Sequence, residues 1–185
     1  VAALFNQVQL AETGADFSCT SLGNDPVGLA SPVTMRGVTA AYLFANTLVV
    51  LEVTEEVLRQ TLERCAAYFT LVDGQPQISE EFLLPKVEHY NYDFYAGLAY
   101  TFDLRRPVGS RVVRLTKLDG SPLENGKFRL CTSNYRATGT GGYDALRKCP
   151  VLWRGGVEMP DLTARYIQTH SPVPLLHNVD MQVIW

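Results

Sequence analysis

The side chains that could perform catalysis are scattered through this sequence rather than gathered in a recognisable motif. The three histidines, His89, His170 and His177, form none of the H-x-H, H-E-x-x-H or D-x-H arrangements that bring metal ligands together. There is no G-x-S-x-G nucleophile elbow, and the GTGGYD segment lacks the G-K-[ST] ending of a phosphate-binding loop. The adjacent Glu80 and Glu81 precede an apolar run and are typical of a solvated edge. The sequence therefore does not predict an enzyme that is complete in itself.

Two other segments carry residue types suited to holding a flat aromatic ligand. In residues 40–53, Phe44 lies two positions before Asn46 in a loop that enters an apolar run. In residues 131–146, a strand-like stretch leads to Tyr135 and then to a loop with three glycines. A nucleobase offers two π-faces and a hydrogen-bonding edge, and stacking on an aromatic side chain contributes about 1–3 kcal/mol per base. The pattern would suit a base held between the two rings, with the Asn46 amide at its edge.

Each of these features also has a purely structural interpretation. A single aromatic residue in a loop usually packs on the core, and an Asn before a strand is usually a turn residue. Glycines such as Gly139 and Gly141 can let backbone approach a flat ligand closely, but glycines after a strand usually just make a turn. The residue types alone leave both interpretations open.

The composition is that of one globular domain. The 185 residues are 46% apolar and 19% charged, which is enough apolar material for a core and enough charge for solubility. The net charge is −3 and the 16 Lys and Arg form no basic stripe, which argues against a nucleic acid polymer but not against a single nucleotide. No stretch approaches the run of about 20 apolar residues that spans a bilayer. The chain opens as VAALFNQVQL, without methionine, and we expect it to be cut from a longer protein.

The four cysteines give a weaker signal. Cys19, Cys65, Cys131 and Cys149 include no C-x-x-C pair, which disfavours zinc-ribbon and thioredoxin-like sites. Cys65 falls on a predicted helix face, and we expect it to be a buried thiol. If one disulfide forms, we expect it to join Cys131 and Cys149.

Hydrophobic periodicity predicts a single α/β domain of the α+β type, with a mixed β-sheet and flanking helices. The segment 47–53 is almost entirely apolar and β-branched, which is typical of a strand buried on both faces. Thr54 is a good N-cap for a helix that runs to about Phe69, and the alternation at 98–104 predicts a half-buried strand. The other predicted elements are a helix at 2–12 ended by Gly14, strands at 15–22, 111–118, 127–133 and 179–185, turns at Asp119-Gly120 and Asn125-Gly126, and a helix from Asp161 to about Thr169.

Four segments occur in a distinctive order over roughly residues 4–147. They read FNQVQL-x-x-T-G-A-D-F, then T-M-R-G-V before L-F-A-N-T-L-V-V-L-E-V-T, then N-Y-D-F-Y-A-G-L-A-Y-T-F-D-L, and finally S-N-Y-R-A-T-G-T-G-G-Y. Together they resemble the C-terminal domain of the 5′-nucleotidase family, particularly its branch of 2′,3′-cyclic-nucleotide 2′-phosphodiesterases with 3′-nucleotidase activity. The last motif is the most specific of the four. The resemblance implies that residues 1–185 form one 5′-nucleotidase C-terminal-like domain.

The resemblance also implies a division of labour between two domains. In the family, an N-terminal metallophosphoesterase domain holds two divalent metal ions and activates water, while the C-terminal domain holds the nucleoside between two aromatic rings. By position, Phe44 and Tyr135 are those rings and Asn46 contacts the base edge. We therefore expect this chain to bind a nucleoside or nucleotide, to need no cofactor itself, and to work with its own N-terminal domain, which is absent from this sequence. Alone, it should hydrolyse nothing.

Further residues follow from the same resemblance less directly. Asn134 and Arg136 flank the second ring, and we expect them near the ribose or the phosphate. Asn91, Tyr92 and Asp93 belong to a segment that we expect near the pocket.

Two departures from the 5′-nucleotidases proper favour a different substrate. Their phosphate-contacting arginine has no counterpart in SLGNDPVG, residues 21–28, and Gly141 stands near the position of their ribose-gripping aspartate. Losing that carboxylate fits a 2′,3′-cyclic phosphate, in which both ribose oxygens are esterified. The resulting hypothesis is a periplasmic, extracellular or cell-wall-associated hydrolase of 2′,3′-cyclic nucleotides and 3′-nucleotides. The alternatives are the substrate domain of a 5′-nucleotidase or UDP-sugar hydrolase, and a scaffold or adhesion domain that kept only the fold.

Overall fold

The computed structural model describes residues 1–124, 126–174 and 180–185. The α-helices are α1 (Ala2–Thr13), α2 (Met35–Ala41), α3 (Glu55–Ala66), α4 (Asn134–Ala137), α5 (Asp144–Arg147) and α6 (Met159–Thr169). The strands are β1 (Phe17–Ser21), β2 (Thr47–Val53), β3 (Phe69–Val72), β4 (Gln75–Ile78), β5 (Asp93–Ala96), β6 (Leu98–Asp103), β7 (Val112–Lys117), β8 (Phe128–Ser133), β9 (Val151–Glu158) and β10 (Asp180–Ile184). Short 3₁₀-helices span Glu80–Phe82 and His89–Asn91.

A five-stranded mixed sheet in the order β5-β1-β8-β2-β9 is the centre of the domain. The β1 and β8 strands run parallel, and the other neighbours run antiparallel. The predicted strand at 47–53 is confirmed as β2. Its residues Leu48 to Leu51 are at most 1% exposed, because apolar layers cover both faces of the sheet. The mixed α+β architecture predicted from the sequence is therefore confirmed.

Helices cover one face of this sheet, and a helix together with a second sheet covers the other. On the first face, Phe5 of α1, Tyr42 directly after α2 and Leu162 of α6 pack against Leu48 and Val50. The second face packs against α3 and against a three-stranded sheet in the order β10-β6-β7. None of the described helices has the length and apolarity needed to cross a membrane.

Helix α3 begins as predicted but ends earlier. The Thr54 side chain accepts a hydrogen bond from the Val57 backbone N–H, as an N-cap should. The helix ends at Ala66, not at Phe69, because the aromatic and β-branched FTLV segment enters the β3–β4 hairpin. Its turn uses Asp73 and Gly74, both at positive φ, which is the usual chemistry of a two-residue hairpin loop.

The expectation of a half-buried strand at 98–104 is wrong. All six residues of β6 are buried, because this strand lies in the middle of its sheet between β10 and β7. The alternating positions that were expected to face solvent hold Ala99, Thr101 and Asp103, and all three are buried. The carboxylate of Asp103, at the end of the strand, accepts hydrogen bonds of 2.8 and 2.9 Å from the Arg105 guanidinium.

The expected disulfide between Cys131 and Cys149 is also wrong, since both are free thiols. Cys131 packs in the cluster beneath α1 and α6, whereas Cys149 packs against the cluster on the other face of the sheet. The two sulfurs therefore lie in different layers. Cys65 is fully buried on α3, which confirms the predicted buried thiol.

The remaining boundaries differ from the prediction by small amounts. Helix α1 ends at Gly14, which has a left-handed φ of 57° and donates its N–H to Leu10 O, as predicted. Helix α6 begins at Met159, two residues before the predicted Asp161, because Pro160 is well tolerated in a first turn. The predicted turn residue Asn125, the strand residue Val179 and His177 lie outside the described residues.

Candidate functional site

The pairing of β2 with β8 brings the two candidate segments together. These strands are antiparallel, and Leu48 near the start of β2 lies opposite Ser133 at the end of β8. The residues that precede β2 therefore lie beside those that follow β8. The contact is direct: the backbone N–H of Thr47 donates to Asn134 Oδ1 at 3.2 Å.

A cavity of about 250 Å³ lies at this edge of the sheet. It is lined by Ser21, Phe44, Asn46, Tyr90 and Tyr135. Its volume is slightly below the roughly 300 Å³ at which pockets for drug-sized ligands begin, which suits a single planar ring system. The structure thus brings together the two rings and the amide that the sequence singles out.

Phe44 is half-buried and anchored from beneath by aromatic contacts. Its ring meets Tyr42 edge-to-face at a centroid distance of 6.0 Å, and Tyr42 in turn meets Phe5 of α1 at 5.0 Å. Helix α2, which carries the chain to Tyr42, begins with Thr34 accepting a hydrogen bond from Gly37 N at 3.1 Å. These contacts fix one side of the Phe44 ring and leave the rest available to the cavity.

Tyr135 has a different environment. It lies on the single turn of α4, which Ser133 caps by accepting a hydrogen bond from Arg136 N at 3.0 Å. Its side chain is 41% exposed, so little of the protein covers the ring. An exposed, amphipathic ring beside a cavity is typical of a ligand-contacting position.

Arg136, expected near ribose or phosphate, is instead buried inside the protein. Its guanidinium donates to both carboxylate oxygens of Asp93 at 2.9 Å, to Thr140 O at 2.6 Å and to Tyr90 O at 2.9 Å. It also lies 4.0 Å over the ring of Tyr143. Burial lowers the pKa of Arg136, but the charge and hydrogen bonds of Asp93 together with the nearby Tyr143 raise it above its usual range, so the guanidinium stays charged. With its donors engaged and only 2% of the residue exposed, Arg136 supports the site rather than facing it.

Three other predicted residues, Asn91, Tyr92 and Asp93, do not line this cavity. Asp93 is 2% exposed and does not line the cavity, because its carboxylate is engaged by Arg136. Asn91 is buried and donates to Glu88 Oε2 at 2.8 Å. Tyr92 lines a separate, largely apolar cavity of about 380 Å³ together with Tyr68 and other residues.

The glycines approach protein groups rather than the cavity. Gly139 and Gly141 have φ values of 85° and 80°, a conformation that other residues rarely adopt. A Cβ atom at Gly141 would overlap Asn91 Oδ1 and lie 2.5 Å from Arg136 Nη1. Without backbone or side-chain shifts, position 141 has no room for a carboxylate.

Ser21 and Tyr90 also line the cavity, although the sequence did not predict either of them, and Tyr90 adds an aromatic ring. It lies on the short 3₁₀-helix His89–Asn91, half-buried, and its hydroxyl donates to Glu88 Oε1 at 3.1 Å. Glu88 also pairs with Lys86 at 3.2 Å, and hydrogen bonding to Lys86 lowers the pKa of the Glu88 carboxyl. Its place in the H-Y-N-Y-D run, next to the expected Asn91, is the one sequence signal that could have found it.

Comparison with known proteins identifies a matching family model and similar sequences. The model of the 5′-nucleotidase C-terminal domain family matches residues 1–148. The chain is 31% identical over 148 residues to the 2′,3′-cyclic-nucleotide 2′-phosphodiesterase/3′-nucleotidase of Haemophilus influenzae, covering 70% of this chain and 22% of that protein. It is 26% identical over 151 residues to a trifunctional nucleotide phosphoesterase of Bacillus subtilis, covering 75% of this chain and 10% of that protein.

Solved structures extend the likeness over the whole chain. The crystal structure of a candidate 5′-nucleotidase from Staphylococcus aureus, in complex with alpha-ketoglutarate, matches with a TM-score of 0.95 and 33% identity. That match covers 100% of this chain and 36% of the other, so the chain spans well under half the length of these relatives. A 5′-nucleotidase precursor from Thermus thermophilus shares the fold at a TM-score of 0.72 and 22% identity, covering 99% of this chain and 35% of that one. The chain therefore belongs to the 5′-nucleotidase C-terminal domain family.

Proposed function

We propose that this domain binds the nucleoside part of the substrate for a two-domain, metal-dependent phosphohydrolase. The substrates are 2′,3′-cyclic nucleotides and 3′-nucleotides, and the base is stacked between Phe44 and Tyr135. The observation that carries the proposal is the cavity in which these rings and the Asn46 amide meet. Two aromatic rings beside an amide that can both donate and accept hydrogen bonds provide the stacking faces and the edge contact that a base needs.

The choice of a cyclic or 3′-phosphate rests on two supports. Named relatives include 2′,3′-cyclic-nucleotide 2′-phosphodiesterase/3′-nucleotidases from Haemophilus influenzae and Salmonella typhimurium. Gly141 is packed against Asn91 and Arg136, which leaves no space for a ribose-binding carboxylate at that position. A substrate whose 2′ and 3′ oxygens are both esterified does not need one.

The chemistry itself is assigned to the partner domain. Among residues 1–124, 126–174 and 180–185, no three His, Cys, Asp or Glu side chains are placed to share a metal ion. In the proposal, two divalent ions in a metallophosphoesterase domain activate water, and this chain positions the substrate. Such a protein would act in the periplasm, outside the cell or on the cell wall.

Calorimetric titration of the 185-residue chain with adenosine tests the binding site. Phe44→Ala and Tyr135→Ala should each weaken binding about 5- to 150-fold, the equivalent of losing about 1–3 kcal/mol of stacking. Trp153→Ala is the matched control, since Trp153 is 39% exposed, close to the 41% of Tyr135, but lies outside the cavity. Unaltered binding in both site variants would show that the rings do not clamp a base and would favour a scaffold domain.

The substrate preference needs the full-length protein. We expect it to hydrolyse 2′,3′-cyclic AMP with a higher kcat/KM than 5′-AMP, because the 5′-nucleotide lacks its arginine and aspartate contacts here. A strong preference for 5′-AMP would instead identify the domain as that of a 5′-nucleotidase. That result would not contradict the proposed binding of the nucleoside between Phe44 and Tyr135.

A further inference from the structure

Tyr90 belongs to the same cavity as the two proposed stacking rings. It lines the cavity together with Phe44, Asn46 and Tyr135, although it reaches the site from a separate segment, the 3₁₀-helix His89–Asn91. Neither the hydrophobic pattern nor the resemblance assigns it a role. Its ring is the third aromatic surface of the pocket.

The orientation of Tyr90 sets the kind of contact it can make. Its ring centroid lies 6.4 Å from that of Phe44, and the two planes are inclined by 66°. A ligand ring that stacks parallel to Phe44 is therefore steeply inclined to Tyr90 as well. Tyr90 cannot share the stacking, and its contact with such a ligand must be an edge contact.

Both ends of Tyr90 are held in place. The hydroxyl donates to Glu88 Oε1 at 3.1 Å, and Glu88 is itself fixed by Asn91 Nδ2 at 2.8 Å. The backbone carbonyl accepts a hydrogen bond from Arg136 Nη2 at 2.9 Å. The hydroxyl proton is already donated to Glu88, so the ring is the part of Tyr90 that remains for a contact with a ligand in the cavity. A side chain that is already fixed in this way loses little conformational entropy when a ligand binds against it.

We propose that Tyr90 is a third ligand-contacting residue, which closes one edge of the cavity against a nucleoside stacked on Phe44. This inference rests on the proposed function, because it needs the nucleoside clamp. The contact is apolar and depends on the ring rather than on the hydroxyl. Tyr90 thereby limits how far the ligand can shift sideways between Phe44 and Tyr135.

Adenosine titration of the 185-residue chain separates the parts of this proposal. Tyr90→Ala should weaken binding about 3- to 10-fold, since an edge contact with an aromatic ring contributes less than full stacking. Tyr90→Phe, which keeps the ring, should bind within about 2-fold of the unsubstituted chain. Thermal unfolding of both variants shows whether the fold is retained.

Each outcome decides the question. If Phe44→Ala and Tyr135→Ala weaken binding but Tyr90→Ala does not, the Tyr90 contact is refuted and the clamp stands. If Tyr90→Phe loses as much as Tyr90→Ala, binding depends on the hydroxyl, directly or through its bond to Glu88, and the proposed contact through the ring alone is wrong. If Tyr90→Ala does not fold, intermolecular NOEs between Tyr90 ring protons and adenosine in the unsubstituted chain replace it, and their absence overturns the proposal. If no variant changes binding, the proposed function fails as well.

Discussion

Arg136 donates a hydrogen bond of 2.9 Å to the backbone carbonyl of Tyr90, 46 residues away in the chain. Because Arg136 directly follows Tyr135, the same residue joins the segments that carry two of the three rings around the cavity. Its charge is balanced by Asp93, whose two oxygens both accept from the guanidinium. The geometry of the exposed site therefore depends on a buried ion pair behind it.

Removing the negative charge of that pair should destabilise the domain. Asp93→Asn keeps the size of the side chain but leaves the Arg136 charge uncompensated at a position where both partners are 2% exposed. Breaking a buried pair in this way costs about 3–5 kcal/mol. Urea unfolding should show a free energy of unfolding lower by about that amount.

The control is an ion pair of the same residue types at the surface. Arg147 and Asp144 are 66% and 78% exposed, so Asp144→Asn should cost about 0–1 kcal/mol. If Asp93→Asn and Asp144→Asn lower the free energy of unfolding equally, the buried pair contributes no more to stability than the exposed one.

Gly141→Ala should destabilise the domain through two effects that can be separated. The backbone at Gly141 has a φ of 80°, and a Cβ atom there would overlap Asn91 and crowd Arg136. Gly120 has a similar φ of 83° but no atom within 4 Å of the Cβ position. Gly120→Ala should therefore cost only the conformational strain of about 1–2 kcal/mol, while Gly141→Ala adds about 1–3 kcal/mol of overpacking.

Urea unfolding of the two glycine variants measures this difference. A Gly141→Ala variant as stable as Gly120→Ala would show that Asn91 and Arg136 move aside freely. In that case position 141 could also accommodate a carboxylate.

The fold could be predicted where local signals agree with tertiary packing. The continuous apolar run of β2 and the Thr54 cap of α3 are properties of adjacent residues, and both were found in the structure. Strand β9 gave no such signal, because it is an edge strand and seven of its eight residues are exposed. Burial of the polar positions of β6 depends on the neighbouring strands, which its own sequence does not encode.

The site could be predicted only in part for a related reason. Phe44, Asn46 and Tyr135 stand in recognisable motifs, and the structure places them around one cavity. Arg136 stands in the same motif, but its burial is decided by Asp93, 43 residues earlier, and motif position cannot show that. Tyr90 reaches the cavity through a 3₁₀-helix, whose short length leaves no periodic signature.

The thiols provide a prediction about reactivity. Cys19, Cys65 and Cys131 are buried, and burial raises the pKa of each, to about 12 for Cys65 and Cys131. Cys149 is partly exposed, and burial of its remaining surface also raises its pKa. Since the thiolate is the reactive form, labelling of the native chain with a disulfide reagent at pH 8 should modify Cys149 alone, and slowly.

The labelling rate of Cys149 should depend on pH in a way that reflects its raised pKa. A raised pKa means that the thiolate fraction at a given pH is smaller, so the labelling rate of Cys149 should reach half of its maximum at a pH above 8.5, the midpoint of an ordinary thiol. Cys149→Ser should abolish native labelling, and the unfolded, unreduced chain should react at all four cysteines. Two unreactive thiols after unfolding would reveal a disulfide and contradict the placement of Cys131 and Cys149 in separate layers.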